Sequence, residues 1–230
     1  MNKTVVFIFC FLLVAFYIFC FVLLADSQIP QKFINVPVIW QYPKLPTGCE
    51  SVAATMVLQY YGEDITAEEF AFYWLDHSDK FYSKNGKLYG PDPNKLFVGN
   101  PFFNNSFGCF STPIINAINH NSKSCSANAI VDHSLDELCA EYIDYNKPLL
   151  IWATMWMKKS YKGKSWYLED NSIFTWTAQE HCLVLVGYNN DCYFLNDPMI
   201  GRVIAYKKEV VEKRFAELGN QAVYIHLNER

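Results

Sequence analysis

Gln41, Cys49, His181 and Asp197 have the side-chain types, in the chain order, that a thiol hydrolase needs. Cys49 closes the run Pro46-Thr-Gly-Cys49, and Val52, Ala53, Met56, Val57 and Tyr60 then recur at helical intervals. Thr47 and Glu50 stand at capping-box spacing, which predicts a helix from Thr47 to near Gly62 with Cys49 in its first turn. Free amide hydrogens and the positive end of the helix dipole would favour a thiolate there. Gly48 lets a substrate backbone approach, and the prolines after Tyr42 stiffen the entry to the turn. On its own, a cysteine in this place is more simply a core thiol or half of a disulfide.

A thiolate needs a proton acceptor. His181 opens the apolar run Cys182-Leu-Val-Leu-Val-Gly-Tyr188, at the rim of a buried strand, and Asp197 closes the next strand just before Pro198. Taken singly they are a surface histidine and a turn residue. Taken together, a hairpin turning near Tyr188-Asn-Asn-Asp191 makes them neighbours, so Asp197 can orient the imidazole. Register sharpens this expectation. Cross-strand partners have position numbers with a constant sum, and 181 and 197 are both odd, so they share a face only if that sum is even. A two-residue Asn189-Asn190 turn gives an odd sum, which predicts instead an odd loop or a bulge. Gln41, otherwise an ordinary polar residue, could join the Cys49 amide in stabilising an oxyanion.

Gln41, Pro46-Thr-Gly-Cys-Glu50, Gly99-Asn-Pro101, the strand from His181 to Tyr188 and Asn196-Asp-Pro198 together resemble the stand-alone branch of the bacteriocin-processing, double-glycine peptidase-like cysteine peptidases. The resemblance covers nearly everything after the N-terminal apolar run. It implies a papain-like fold, a Cys49–His181–Asp197 triad, Gln41 as the oxyanion residue and a peptide or protein substrate, with no cofactor. Exporter-linked members resemble Asp-Cys-Gly where this chain has Gly48-Cys49-Glu50, so double-glycine specificity is not carried over. Two other uses of the fold stay open: acyl transfer to an amine, and a surface binding module without turnover.

The elements that must hold these residues are legible in outline. A chain of 230 residues, 51% of them apolar, suits one globular unit. Its net charge of −4 and scattered basic residues offer no phosphate-binding face, which argues against nucleic acid. Thr4 to Ala25 carries no charge and is long enough for the about 20 residues that span a bilayer, while Ala25-Asp-Ser27 has small residues at signal-peptidase spacing. Residues 1–28 are thus either a cleaved signal peptide or a membrane anchor, with Lys3 inside and residues 29–230 as an extracytoplasmic domain. That compartment permits disulfides among the domain's six cysteines, which could equally be buried thiols. No Cys-x-x-Cys or His-x-x-x-His spacing occurs, so no metal centre is expected.

An entry strand is expected over Phe33–Trp40, and capping boxes predict helices from Thr66 to near Asp76 and from Ser134 to near Tyr145. Ser78 to Phe110 is rich in Gly, Pro and Asn and reads as a long loop walling the site, followed by a helix over Ser111–His120. Strands follow at Pro148–Thr154, His181–Tyr188, Cys192–Asn196, Arg202–Ala205 and Ala222–Leu227, with a last helix over Lys207–Leu218. Helices first and an antiparallel sheet second make an α+β pattern, with the nucleophile helix packed on the sheet.

Overall fold

The computed structural model describes residues 30–228 together with Leu13 and Val14. Apart from Leu13 and Val14, the expected membrane or signal segment therefore lies outside the described residues, among which no helix is long and apolar enough to cross a membrane. In chain order come β1 (Lys32–Phe33), α1 (Cys49–Tyr60) and α2 (Ala67–Glu69), then the short strands β2 (His77–Ser78), β3 (Tyr82–Lys84), β4 (Lys87–Tyr89) and β5 (Phe97–Val98). Next are α3 (Ser111–Asn121), β6 (Cys125–Ile130), α4 (Leu135–Glu141), β7 (Leu149–Thr154), β8 (Tyr161–Tyr167) and β9 (Ile173–Ala178). The chain ends with β10 (Glu180–Tyr188), β11 (Cys192–Asp197), β12 (Arg202–Lys207), α5 (Lys208–Glu217) and β13 (Ala222–Leu227).

The strands expected at Pro148–Thr154 and His181–Tyr188 become neighbours at the centre of one sheet. β7 is buried at every position and β10 at all but Tyr188, as strands covered on both faces must be. They pair antiparallel, with His181 opposite Ala153. The sheet runs β12-β11-β10-β7-β13-β6, and β1 adds beside β10. α1 packs on β10. It buries Val52, Ala53, Met56 and Val57 completely; truncating a buried side chain the size of Met56 to Ala costs about 2–5 kcal/mol, and such packing holds the helix start against the sheet rim.

Several expectations need correction. The first helix starts at Cys49, with Gly48 as a cap that offers no side chain. Tertiary partners outcompete the local box: Thr47 Oγ1 donates to the Phe103 carbonyl at 2.9 Å, and Glu50 accepts from the Cys109 amide. The boxes at Thr66 and Ser134 do form, but their regular helices are short. The first runs on as a π turn over Phe70–Trp74, and the second is followed by a 3₁₀ turn that Asn146 ends in the left-handed region. The entry strand shrinks to Lys32–Phe33, because Pro37 has no amide hydrogen for a ladder. β6, which precedes every strand expected for the sheet, also joins it.

The Ser78–Phe110 stretch is not one loop. β3 and β4 form a hairpin that joins β8 and β9 in a second, four-stranded sheet. Lys162 and Lys164 interrupt any apolar run in β8, and β9 alternates threonines with its apolar residues; their small core rests on Trp166 and Trp176, with Phe107 packed against both.

Candidate active site

Cys49 is the first residue of α1 and is 7% exposed. Gly48 cannot be enlarged freely: a Cβ there would stand 3.0 Å from Leu45 Cβ and 3.2 Å from Pro101 Cβ. The loop from Gly99 to Gly108 is thus drawn against the helix start, fastened by Thr47 and by a hydrogen bond from the Trp152 indole to the Cys109 carbonyl at 3.0 Å. This is the wall expected of that region. The six domain cysteines are free thiols, Cys49 included.

His181 and Asp197 meet as the sequence expects. His181 Nε2 lies 2.9 Å from Asp197 Oδ1, and both side chains are buried. The hairpin turns at Asn190-Asp191, with the Asn189 amide donating to the Cys192 carbonyl. Tyr188 faces Tyr193, an odd sum, but a register shift between Leu185 and Gly187 brings Val184 opposite Asn196, an even one. The expected bulge is present. Asp197 Oδ1 also accepts from the Met199 and Ile200 amides, and Tyr206 donates to Oδ2 at 3.5 Å. Burial would raise the Asp197 pKa, but its hydrogen bond and charge interaction with His181 and those two amides hold it below the usual carboxylate range. The aspartate is therefore ionised and immobile.

Gln41 is buried, and its backbone amide donates to Pro198, which ties the entry segment to the turn after Asp197. Its side-chain amide donates to the Pro46 carbonyl at 2.8 Å, while its Oε1 is buried without a hydrogen-bond partner. Tyr42 next to it has a raised pKa, through burial and then the charges of Cys49 and Asp197.

Two further site residues are not evident from sequence: Glu50, which stands at capping-box spacing, and Glu180. Cys49 Sγ donates to Glu50 Oε2 at 3.2 Å, and Glu50 Oε1 accepts from the Cys109 amide at 2.6 Å. Glu180 Oε1 is buried with no partner. Gly108 makes room for both carboxyls, since a Cβ there would lie 2.6 Å from Glu50 Oε1 and 3.0 Å from Glu180 Oε2. Burial raises Glu50 to about 7 and, with the charge of Glu50, pushes Glu180 well up.

The electrostatics reverse one expectation. Burial first, then the charges of Glu50 and Glu180, drive the Cys49 thiol well above its ordinary value, and the Cys182 amide opposes them only in part. The helix terminus does not by itself make a thiolate. Adjacency was the available signal, as each glutamate is the chain neighbour of Cys49 or His181.

Comparison with known proteins bears on the family and the fold. The chain is 26% identical over 189 residues to the uncharacterized protein YvpB of Bacillus subtilis (strain 168), covering 80% of this chain and 70% of that one. A solved structure of a candidate C39-like peptidase from Bacillus anthracis superposes with a TM-score of 0.73 at 24% identity, over 87% of this chain and 98% of that one. The likeness falls to a TM-score of 0.48 at 15% identity for the peptidase domain of Streptococcus ComA, a bi-functional ABC transporter, over 85% of this chain and all of that domain. The fold is the papain-like one. The model of the Peptidase_C39 like family matches residues 33–223, and the chain belongs to that family.

Proposed function

We propose that this protein is a thiol hydrolase of the cell exterior that cuts peptide bonds through Cys49, His181 and Asp197, with Gln41 at the oxyanion. The observation that carries this reading is the 2.9 Å contact of His181 Nε2 with an ionised Asp197, at the strand rim on which the Cys49 helix packs. With Nε2–H donating to Asp197, Nδ1 is the nitrogen left to take the Cys49 proton. In the resting geometry the sulfur is a thiol bonded to Glu50, so attack requires it to turn from that carboxyl to the ring. The thiolate then adds to the scissile carbonyl, and the Cys49 amide and the Gln41 side chain donate to the oxyanion. His181 returns the proton to the leaving amine, and water hydrolyses the thioester by the same route.

Placement outside the cytoplasm rests on the uncharged run from Thr4 to Ala25 behind Lys3. Labelling of intact cells with a membrane-impermeant amine reagent tests it, and protection of the domain's lysines would contradict it. The function is tested by digesting a peptide library with the wild-type protein and with Cys49→Ala. Cleavage by the first and none by the second is expected; identical digests would remove the peptidase reading.

A further inference from the structure

Cys49, Glu50 and Glu180 offer a sulfur and two carboxylate oxygens that all lie within 4.8 Å of one another, in the buried region under the Gly108 loop. Buried acidic groups of this kind need an opposite charge or a proton. No Lys or Arg salt bridge reaches either glutamate among the described residues. The arrangement also has the features of a prepared ligand set. Glu50 Oε1 is fixed by the Cys109 amide at 2.6 Å, which aims Oε2 at the sulfur, as outer-shell hydrogen bonds aim metal ligands. Glu180, 6% exposed, keeps its Oε1 buried without any hydrogen bond. Gly108 leaves open the space that a Cβ would take from both carboxyls.

We propose that Cys49 Sγ, Glu50 Oε2 and a Glu180 carboxylate oxygen form a binding site for a zinc-class dication, which takes the nucleophile out of use while it is bound. One thiolate and two carboxylates suit a borderline-soft ion that prefers four ligands, and the sulfur disfavours magnesium and calcium. Bonds of about 2.3 Å to sulfur and about 2.1 Å to oxygen space tetrahedral ligands by roughly 3.5 Å, compatible with the 3.2 Å between Sγ and Oε2. On binding, the S–H bond breaks, its proton leaves to solvent with any proton the carboxyls hold, and a metal–sulfur bond forms. Three protein ligands leave the fourth position to water. Cys49 and Glu180 each keep a small exposed surface while Glu50 has none, so the ion enters along the Cys49–Glu180 edge. Spacing rules for Cys and His could not find such a site, because its ligands come from α1 and β10. The inhibitory half of the proposal rests on Cys49 being the nucleophile; the site itself does not.

The test uses the full chain, reduced and stripped with a chelator, and titrated with Co²⁺ and then Zn²⁺. One equivalent of Co²⁺ should produce thiolate-to-cobalt charge-transfer absorption that Zn²⁺ abolishes by displacement. Cys49→Ser should lose that absorption, and Glu180→Gln and Glu50→Gln should each bind Co²⁺ at least tenfold more weakly, while Cys192→Ser, altered at the far end of β11, should match the wild type. Thermal unfolding verifies that each variant is folded. Absence of the band in wild type, as when protons alone neutralise the cluster, would overturn the proposal, and so would a band that survives in Cys49→Ser. Cleavage that continues undiminished in stoichiometric Zn²⁺ would overturn its inhibitory half and leave the peptidase reading standing. A cobalt band lost in Cys49→Ser, in a protein that cleaves no peptide, would leave the site and remove the peptidase reading.

Discussion

Cys49 lies between opposing influences. The α1 terminus and the Cys182 amide favour its thiolate, whereas burial and the charges of Glu50 and Glu180 favour the thiol and prevail. Removing one of those charges should therefore lower the thiol's pKa. In metal-free protein at pH 8, Glu50→Gln should speed alkylation of Cys49 by iodoacetamide severalfold, read by mass spectrometry of the peptide that carries it; a slower rate would contradict this account of the electrostatics. Gly108 permits the whole arrangement, with φ +135° and no space for a Cβ beside the carboxyls. Gly108→Ala should destabilise the fold by about 1–3 kcal/mol, measured by urea denaturation. The dyad was legible at this scale because His181 and Asp197 end adjoining strands, and register arithmetic needs only their numbers. Glu180 was not, since a glutamate before a strand is ordinary until its burial is known.

Elements succeed or fail as predictions according to what competes for their ends. The boxes at Thr66 and Ser134 face no rival partner and form, whereas Thr47 and Glu50 are recruited by the Gly99–Gly108 loop and leave α1 to begin at Cys49. That loop is fastened to the helix start through a side chain that can be altered alone. Thr47→Val removes the 2.9 Å bond to Phe103 and should cost about 1 kcal/mol, with faster amide exchange confined to residues 100–107. Unchanged exchange there would show that the loop is held by other contacts. The bulge between Leu185 and Gly187 follows from the same economy: the turn sits at Asn190-Asp191, so the strand must absorb one residue before the site.

At the scale of the molecule, the main sheet was readable because β7, β10, β11 and β13 are apolar and bounded by turn residues. The second sheet was not, because β3, β4 and β8 carry lysines and the sheet buries only a few aromatic rings. Stability should record the buried acid pair. Glu50 binds its proton up to about pH 7 in the folded chain against an ordinary 4.5, so its contribution is complete below the ordinary carboxyl value and lost as pH rises through about 7. Asp197, held low, acts in the opposite sense: its contribution is present above the ordinary value and lost in acid. Metal-free protein should thus unfold at less urea at pH 8 than at pH 6, and Glu50→Gln should flatten that difference; a rise in stability from pH 6 to pH 8 would contradict the assignment.

The central claim, that Cys49 attacks and His181 serves it, is tested most directly by trapping the covalent intermediate. Wild-type protein mixed with an activated peptide ester, quenched in acid within the first turnover and digested for mass spectrometry, should carry the acyl group as a thioester on Cys49. His181→Ala should acylate more slowly by a factor on the order of 10²–10⁴. Acylation of Cys49 at an undiminished rate in His181→Ala, or an acyl group found only on another residue, would contradict the account.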